Sequence, residues 1–200
     1  MHKSSMDKMR VFRDKFLGHK QNETLSIIDL GSMDVTGNSY REYFNFPSWS
    51  YQGMDIAAGN NVDIVLKNPY RWREVKTNSV DVIISGQAFE HIEFFWLTTL
   101  EIARVLTPGG ICCIIAPSSG PIHRHPVDCW RFYPDGFSAL AKFGALEVIE
   151  IYSQTEPTGY PDGSDQWQDL VMVARKPMNL GVRPRIKAWI RYWLLYLILP

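Results

Sequence analysis

The sequence predicts an α/β domain, a mostly parallel sheet with helices on both faces. Short, nearly unbroken apolar runs, among them Val80-Asp81-Val82-Ile83-Ile84-Ser85 and Ile111-Cys112-Cys113-Ile114-Ile115-Ala116, alternate with stretches of helical character, the pattern of strands buried from both sides. The first such run ends in a glycine turn, Leu30-Gly31-Ser32, that leads toward a helix-compatible segment. At 46% hydrophobic content, 200 residues suffice for one well-buried domain and leave little for a second.

Ser4 to Phe16 reads as an amphipathic helix with Met9, Phe12 and Phe16 on one face, Ser4 and Asp7 at capping-box spacing and Gly18 as the stop. It is expected to act as a lid on the domain edge. Leu25–Leu30 is the first strand, and Tyr40–Phe44 is the helix-compatible segment after its turn. Ser50–Asp55 and Val62–Leu66 follow as second and third strands, and Val80–Ser85 as a fourth. A helix from about Phe94 to Leu106 is broken by Pro108-Gly109-Gly110, after which Ile111–Ala116 forms the fifth strand. A helix over Asp135–Phe143 and strands at Leu146–Ile151 and Leu170–Ala174 complete seven strands, with a long Gly-, Pro- and Asp-rich loop between Ser153 and Gln168.

Basic and acidic residues balance at 21 each, yet six of the basic ones stand after Asp169 with no acid among them. The rest of the chain is therefore net acidic, which argues against a nucleic-acid binder with a broad basic face. Three cysteines, two of them adjacent, make no disulfide framework and point to a reducing, cytoplasmic setting. The charged N-terminal stretch has no signal-peptide core, and no run approaches the roughly 20 apolar residues of a spanning helix. Residues 1–178 are expected to form the domain and 179–200 a separate helix. In that helix Ile186, Trp189, Ile190, Trp193, Leu194 and Leu197 share one face, and Arg183, Lys187 and Arg191 another. The pattern suits a membrane interface over 183–199, packing on the domain, or the seam of a homodimer.

In an open parallel sheet, ligands bind beyond the carboxyl ends of the strands where their order reverses. That draws together Gly31-Ser32, Asp55, the Lys67-Asn68 segment and Gly86-Gln87, and Asp55 follows Gly31 at about the spacing of an acid that holds ribose hydroxyls. The chain at this point resembles the class I S-adenosylmethionine-dependent methyltransferases. The matching pieces are Asp29-Leu30-Gly31-Ser32 with Gly37, Met54-Asp55-Ile56, Val80–Ile84 with Glu90-His91, and Glu101 to Gly110 as a helix-to-strand hinge. The resemblance implies a Rossmann-like three-layer sandwich with an antiparallel hairpin at one edge, S-adenosylmethionine as cofactor and S-adenosylhomocysteine as product. It places Asp29, Gly31, Ser32, Gly37, Asp55, Ile56, Asn68 and Gln87 at the cofactor, with Gly31 admitting the methionine part, Asp55 binding ribose and Ile56 packing on adenine. Met33 and Val35 stand where a dinucleotide turn has glycine, which speaks against a pyrophosphate ligand and hence against a nicotinamide-dependent oxidoreductase. One departure concerns Lys67, at a position where many members carry an acid; Asn68 or a backbone carbonyl would replace it at the adenine amine.

After the fifth strand comes His123-Arg124-His125-Pro126-Val127-Asp128-Cys129-Trp130-Arg131-Phe132-Tyr133-Pro134-Asp135-Gly136, too polar and aromatic a loop to order unless it binds something or braces itself. It resembles a motif of a bacterial methyltransferase subgroup often associated with surface polysaccharide or natural-product pathways. Methyl transfer to a hydroxyl or ammonium acceptor requires alignment and the loss of a proton, which a group of near-neutral pKa takes best. His91 and His123 are the first candidates for that base, with His125 behind them and Asp128 as orienter or alternative. Competing structural readings are a helix cap for His91, an Asp128–Arg131 ion pair, and core or pocket-wall roles for Trp130 and Phe132. No metal is expected, since His123, His125, Asp128 and Cys129 match no common zinc spacing. The sequence thus favours a methyltransferase acting on a sugar, lipid-linked saccharide or small metabolite. The alternative is a non-catalytic binding or scaffold subunit of the same fold.

Overall fold

The structure, a computed structural model, describes residues 2–154 and 159–179 together with Ile190 and Leu194. Seven strands are assigned: β1 (Leu25–Leu30), β2 (Trp49–Asp55), β3 (Ile64–Val65), β4 (Val80–Gly86), β5 (Leu106–Ala116), β6 (Glu147–Ser153) and β7 (Leu170–Arg175). They form one sheet in the order β3-β2-β1-β4-β5-β7-β6. Neighbours from β3 through β5 pair in parallel, and β7 runs antiparallel to both β5 and β6, the edge hairpin that the resemblance implies. The order reverses between β1 and β4, so the turns after these two strands flank the expected ligand crevice.

The two faces divide each apolar run by alternation. Ile28, Ile83, Cys112, Ile114 and Met172 face α2 (Phe95–Val105) and α3 (Pro134–Phe143), which contribute Ile102, Val105, Phe137 and Leu140. Ile27, Val82, Ile84, Cys113, Ile115 and Val173 face α1 (Lys3–Leu17), which contributes Met9, Phe12 and Leu17. Cys112 and Cys113 therefore project to opposite faces, both buried, and burial pushes the Cys112 thiol up to about 12.

Several elements differ from the sequence reading. α1 is a full layer over the sheet rather than a lid at its edge. It starts at Lys3 without a side-chain cap, because the Ser4 hydroxyl donates to buried Asp169 at 2.5 Å instead of capping the helix. Tyr40–Phe44 is a 3-10 turn, capped by Ser39 accepting from Arg41 N at 3.1 Å, and its buried Tyr40 and Phe44 join the face that α1 covers. β5 begins at Leu106, directly after α2: Pro108-Gly109-Gly110 lies inside the strand, where the register with β4 shifts and Gly109 takes φ +84°. The acidic start of the expected hinge, Glu101, accepts from Trp72 N at 2.8 Å and from Arg104, whose guanidinium also reaches the Trp72 carbonyl at 2.7 Å. That set of bonds pins the connection between β3 and β4 to α2. The expected C-terminal helix lies outside the described residues except for Ile190 and Leu194, both helical and exposed.

Candidate active site

The turn after β1 owes its shape to close backbone approach. Gly31 takes φ +76°, and a Cβ there would stand 2.4 Å from the Ala88 Cβ, so the turn after β4 packs directly on it. Asp29, expected at the cofactor, lies beneath the turn instead. It is 1% exposed, it accepts from the Tyr51 hydroxyl, and burial pushes its carboxyl up to about 7. Ser32 is also committed inward, donating to the Asn61 carbonyl at 3.1 Å while Asn61 Nδ2 donates to the Ser32 carbonyl at 2.9 Å. Gly37 has open space around it, and its N–H donates to Asp34 Oδ1 at 2.8 Å together with those of Thr36 and Asn38 at 2.9 and 3.1 Å. The three N–H groups available to cradle an anion are thus filled by the chain's own carboxylate, which they hold below the usual carboxylate range.

Asp55 sits at the end of β2, half-buried, with Oδ2 accepting from Met33 N at 3.0 Å and Oδ1 from Ile56 N at 2.7 Å. Beside it Ile56 is 58% exposed, an apolar side chain open at the crevice rim. Asn68 uses its side-chain oxygen to close a local turn onto Tyr70 N at 2.8 Å, so the part expected of it toward adenine falls to its amide or to a backbone carbonyl. Gln87, with φ +55°, donates to Asp169 Oδ1 at 3.0 Å, and its side chain also interacts with the His2 ring.

The chain brings three histidines together five residues past Gly86. The His91 ring centroid lies 4.9 Å from that of His123 and 6.0 Å from that of His125, and the last two stand 5.9 Å apart. His91 Nδ1 is 2.5 Å from the Val127 carbonyl, which it can only approach as a donor, and burial lowers the ring's pKa. It caps no helix, because α2 starts at Phe95. His123 Nδ1 lies 3.2 Å from Asp128 Oδ2, which also accepts from the His123 backbone N–H at 2.7 Å, and the ring stacks on Trp167 at 4.4 Å.

Asp128 itself is no base: the Arg131 guanidinium grips both its oxygens at 2.6 and 2.9 Å and holds the carboxyl well below the carboxylate range. The loop is further tied down by Cys129 N and Trp130 N donating to the Glu90 carbonyl at 2.7 and 3.2 Å, and by the Trp130 indole on the Ile92 carbonyl at 3.1 Å. Phe132 is core, packed against Phe89 and Phe137. Under the histidines lies Glu90, fully buried, with its carboxyl pushed up to about 8 by that burial. As a site residue it was missed by sequence reasoning, which saw only an acid next to a histidine.

Comparison with known proteins agrees with this arrangement. Residues 39–114 match the family model described as a methyltransferase domain. That match spans 76 of the 200 residues, from the turn before Tyr40 into β5. The fold is shared with the 1,6-didemethyltoxoflavin-N1-methyltransferase of Burkholderia thailandensis, solved with 1,6-didemethyltoxoflavin and S-adenosylhomocysteine bound, at TM-score 0.65 and 15% identity over 86% of this chain and 78% of that one. It is shared too with an S-adenosylmethionine-dependent methyltransferase from Mesorhizobium loti, at TM-score 0.56 and 15% identity over 76% of this chain and 91% of that one. The [4+2]-cyclase SpnF also has this fold, at TM-score 0.65 and 13% identity over 86% and 81%. A search of curated proteins by sequence gives no match.

The residues at these turns fit S-adenosylmethionine, the cofactor that the resemblance implies. Asp55 Oδ1 accepts from Ile56 N and, at 3.4 Å, from Ala57 N, while Oδ2 carries only Met33 N and has capacity left for a ribose hydroxyl. Ile56 offers apolar surface beside it. The nest filled by Asp34 is no loss, since the cofactor carries no phosphate.

Proposed function

We propose that the domain methylates a hydroxyl of a small polar acceptor, such as a sugar, a lipid-linked saccharide or a metabolite. The observation that carries this is contiguity: Ala88 packs on Gly31 and His91 lies three residues further on, at most about 10 Å of chain. The cofactor turn and the histidine cluster therefore share one crevice. Bound there, S-adenosylmethionine supplies a methyl group on a sulfonium. The protein's contribution is to align an acceptor oxygen and to receive its proton. What supports His123 for the second task is that Asp128 engages its Nδ1 and leaves Nε2 with a lone pair, and the Val127 carbonyl does the same for His91.

A screen of acceptors by S-adenosylhomocysteine release tests the proposal, run beside His123→Ala and His91→Ala. The expected result is a 10²–10⁴-fold loss in at least one variant, the usual worth of a positioned acid–base group. Equal rates in both variants and the wild type would remove the histidines from the chemistry. We further assign the basic, aromatic segment 183–199 to a membrane surface, on its sequence pattern and on the exposure of Ile190 and Leu194, 43% and 54%. No helix among the described residues is long and apolar enough to cross a membrane.

A further inference from the structure

We propose that Glu90, His91 and His123 form a binding site for a divalent transition-metal cation, with zinc the best-matched ion. One ligand atom from each residue lies within 4.8 Å of the other two. His91 Nε2 stands 3.7 Å from Glu90 Oε1, close to the roughly 3.3 Å between two ligands held about 2.0 Å from one tetrahedral zinc.

Two independent observations point to a ligand here. Glu90 is 0% exposed and neither carboxyl oxygen has a hydrogen-bond partner among the described residues, a costly state for a buried acid that a cation beside it would relieve. The histidines, in turn, are prepared as ligands rather than as donors. His91 directs Nδ1 to the Val127 carbonyl, and His123 directs Nδ1 to Asp128, so both present Nε2 as a bare lone pair. An imidazole fixed by an oxygen acceptor behind it is the outer-shell arrangement that metal-bound histidines adopt. Arg131, gripping Asp128 from the far side, completes that support.

Two histidines and one carboxylate form a common ligand set for zinc and for other divalent first-row metals, and they leave a coordination position free. His125 lies edge-on to both rings at 6.0 and 5.9 Å, outside the three-residue cluster. The inference rests on the crevice described above and sharpens its acceptor side. A hydroxyl bound at the free position would lose its proton to solvent more readily, with His91 and His123 holding the cation instead of the proton.

Metal binding is measurable without methyl donor or acceptor, so its failure and that of the methyl-transfer proposal are separable. Untagged, metal-free protein carrying Cys129→Ser, to remove the exposed thiol, is titrated with Zn²⁺ by calorimetry. The expected result is one-to-one binding, at least 100-fold weaker in Glu90→Gln and in His91→Ala, and 10–100-fold weaker in the outer-shell variant Asp128→Asn. Binding of S-adenosylmethionine serves as the check that each variant is folded. Should Glu90→Gln fail that check, the ring-nitrogen NMR signals of the Cys129→Ser protein decide the matter, and Zn²⁺ is expected to shift the Nε2 resonances of His91 and His123 together. Absence of stoichiometric binding, wild-type affinity in a folded Glu90→Gln, or shifts confined to other histidines would overturn the proposal.

Discussion

Asp55 is the residue proposed to bind the ribose: the backbone N–H groups of Met33, Ile56 and Ala57 aim its carboxylate, and Oδ2 stays open to a diol. Asp55→Ala is expected to weaken S-adenosylmethionine binding about 10–100-fold, the worth of one or two hydrogen bonds to a charged group, as read by calorimetry. Gly31→Ala combines a φ of +76° with a 2.4 Å clash on Ala88 and should cost about 2–3 kcal/mol in denaturant unfolding. Asp29 makes a pH prediction. Its carboxyl is raised to about 7 by burial, so between the ordinary carboxylate range and about 7 the folded state holds a proton that the unfolded chain has released. Stability should then fall as pH rises through that window, and Asp29→Asn should flatten the slope. Asp55 and Gly31 were legible because a tight turn and an acid about 20 residues later form a local pattern. Glu90 was not, because its unpartnered oxygens are a property of the space beneath the loop that ends at Arg131, about 40 residues away in the chain.

At the scale of elements, the loop from Pro121 to Arg131 is braced by its own charges. Arg131 links Asp128 to the Pro121 carbonyl at 2.8 Å, and the Glu90 carbonyl anchors Cys129 and Trp130. Arg131→Gln should leave the buried Asp128 carboxylate under-bonded, at a cost of about 2–3 kcal/mol in thermal or denaturant unfolding. It should also lower turnover more than it raises KM, since His123 would lose its fixed orientation. The sequence marked this loop as either binding or self-bracing, and Asp128 and Arg131 brace it. Strands were legible wherever apolar runs were unbroken. Tyr40–Phe44 misled because Tyr40 and Phe44 are four apart, a helical spacing that here serves a short turn burying both rings against the sheet. β5 outran its expected start because a glycine at positive φ accommodates a register shift that keeps Pro108 inside the strand.

Across the whole molecule, Asp169 connects parts that are remote in sequence. This buried carboxylate accepts from Ser4 at 2.5 Å and from Gln87 at 3.0 Å, and Lys8 lies 3.8 Å away. The layer formed by α1 is thereby fastened to the turn that borders the cofactor crevice. Asp169→Ala should therefore both destabilise the fold and weaken S-adenosylmethionine binding, whereas Lys15→Ala, on the same helix as Ser4 but paired with Glu150 of β6, should do neither. No sequence pattern foretells a bond spanning 165 residues, which is why α1 read as a lid and not as a structural layer. For the segment 183–199, truncation at Gly181 is expected to abolish liposome binding; unchanged binding would assign that role elsewhere.

The loop closed on Asp34 bears on which metabolites this protein can ignore. Its backbone donors are already saturated by an internal anion, so nucleotides and inorganic phosphate find no vacancy at the turn where related folds welcome them. ATP or NAD at millimolar concentration should leave S-adenosylmethionine affinity unaltered. Asp34→Ala, by emptying that nest, would turn the same crevice into one open to phosphate interference.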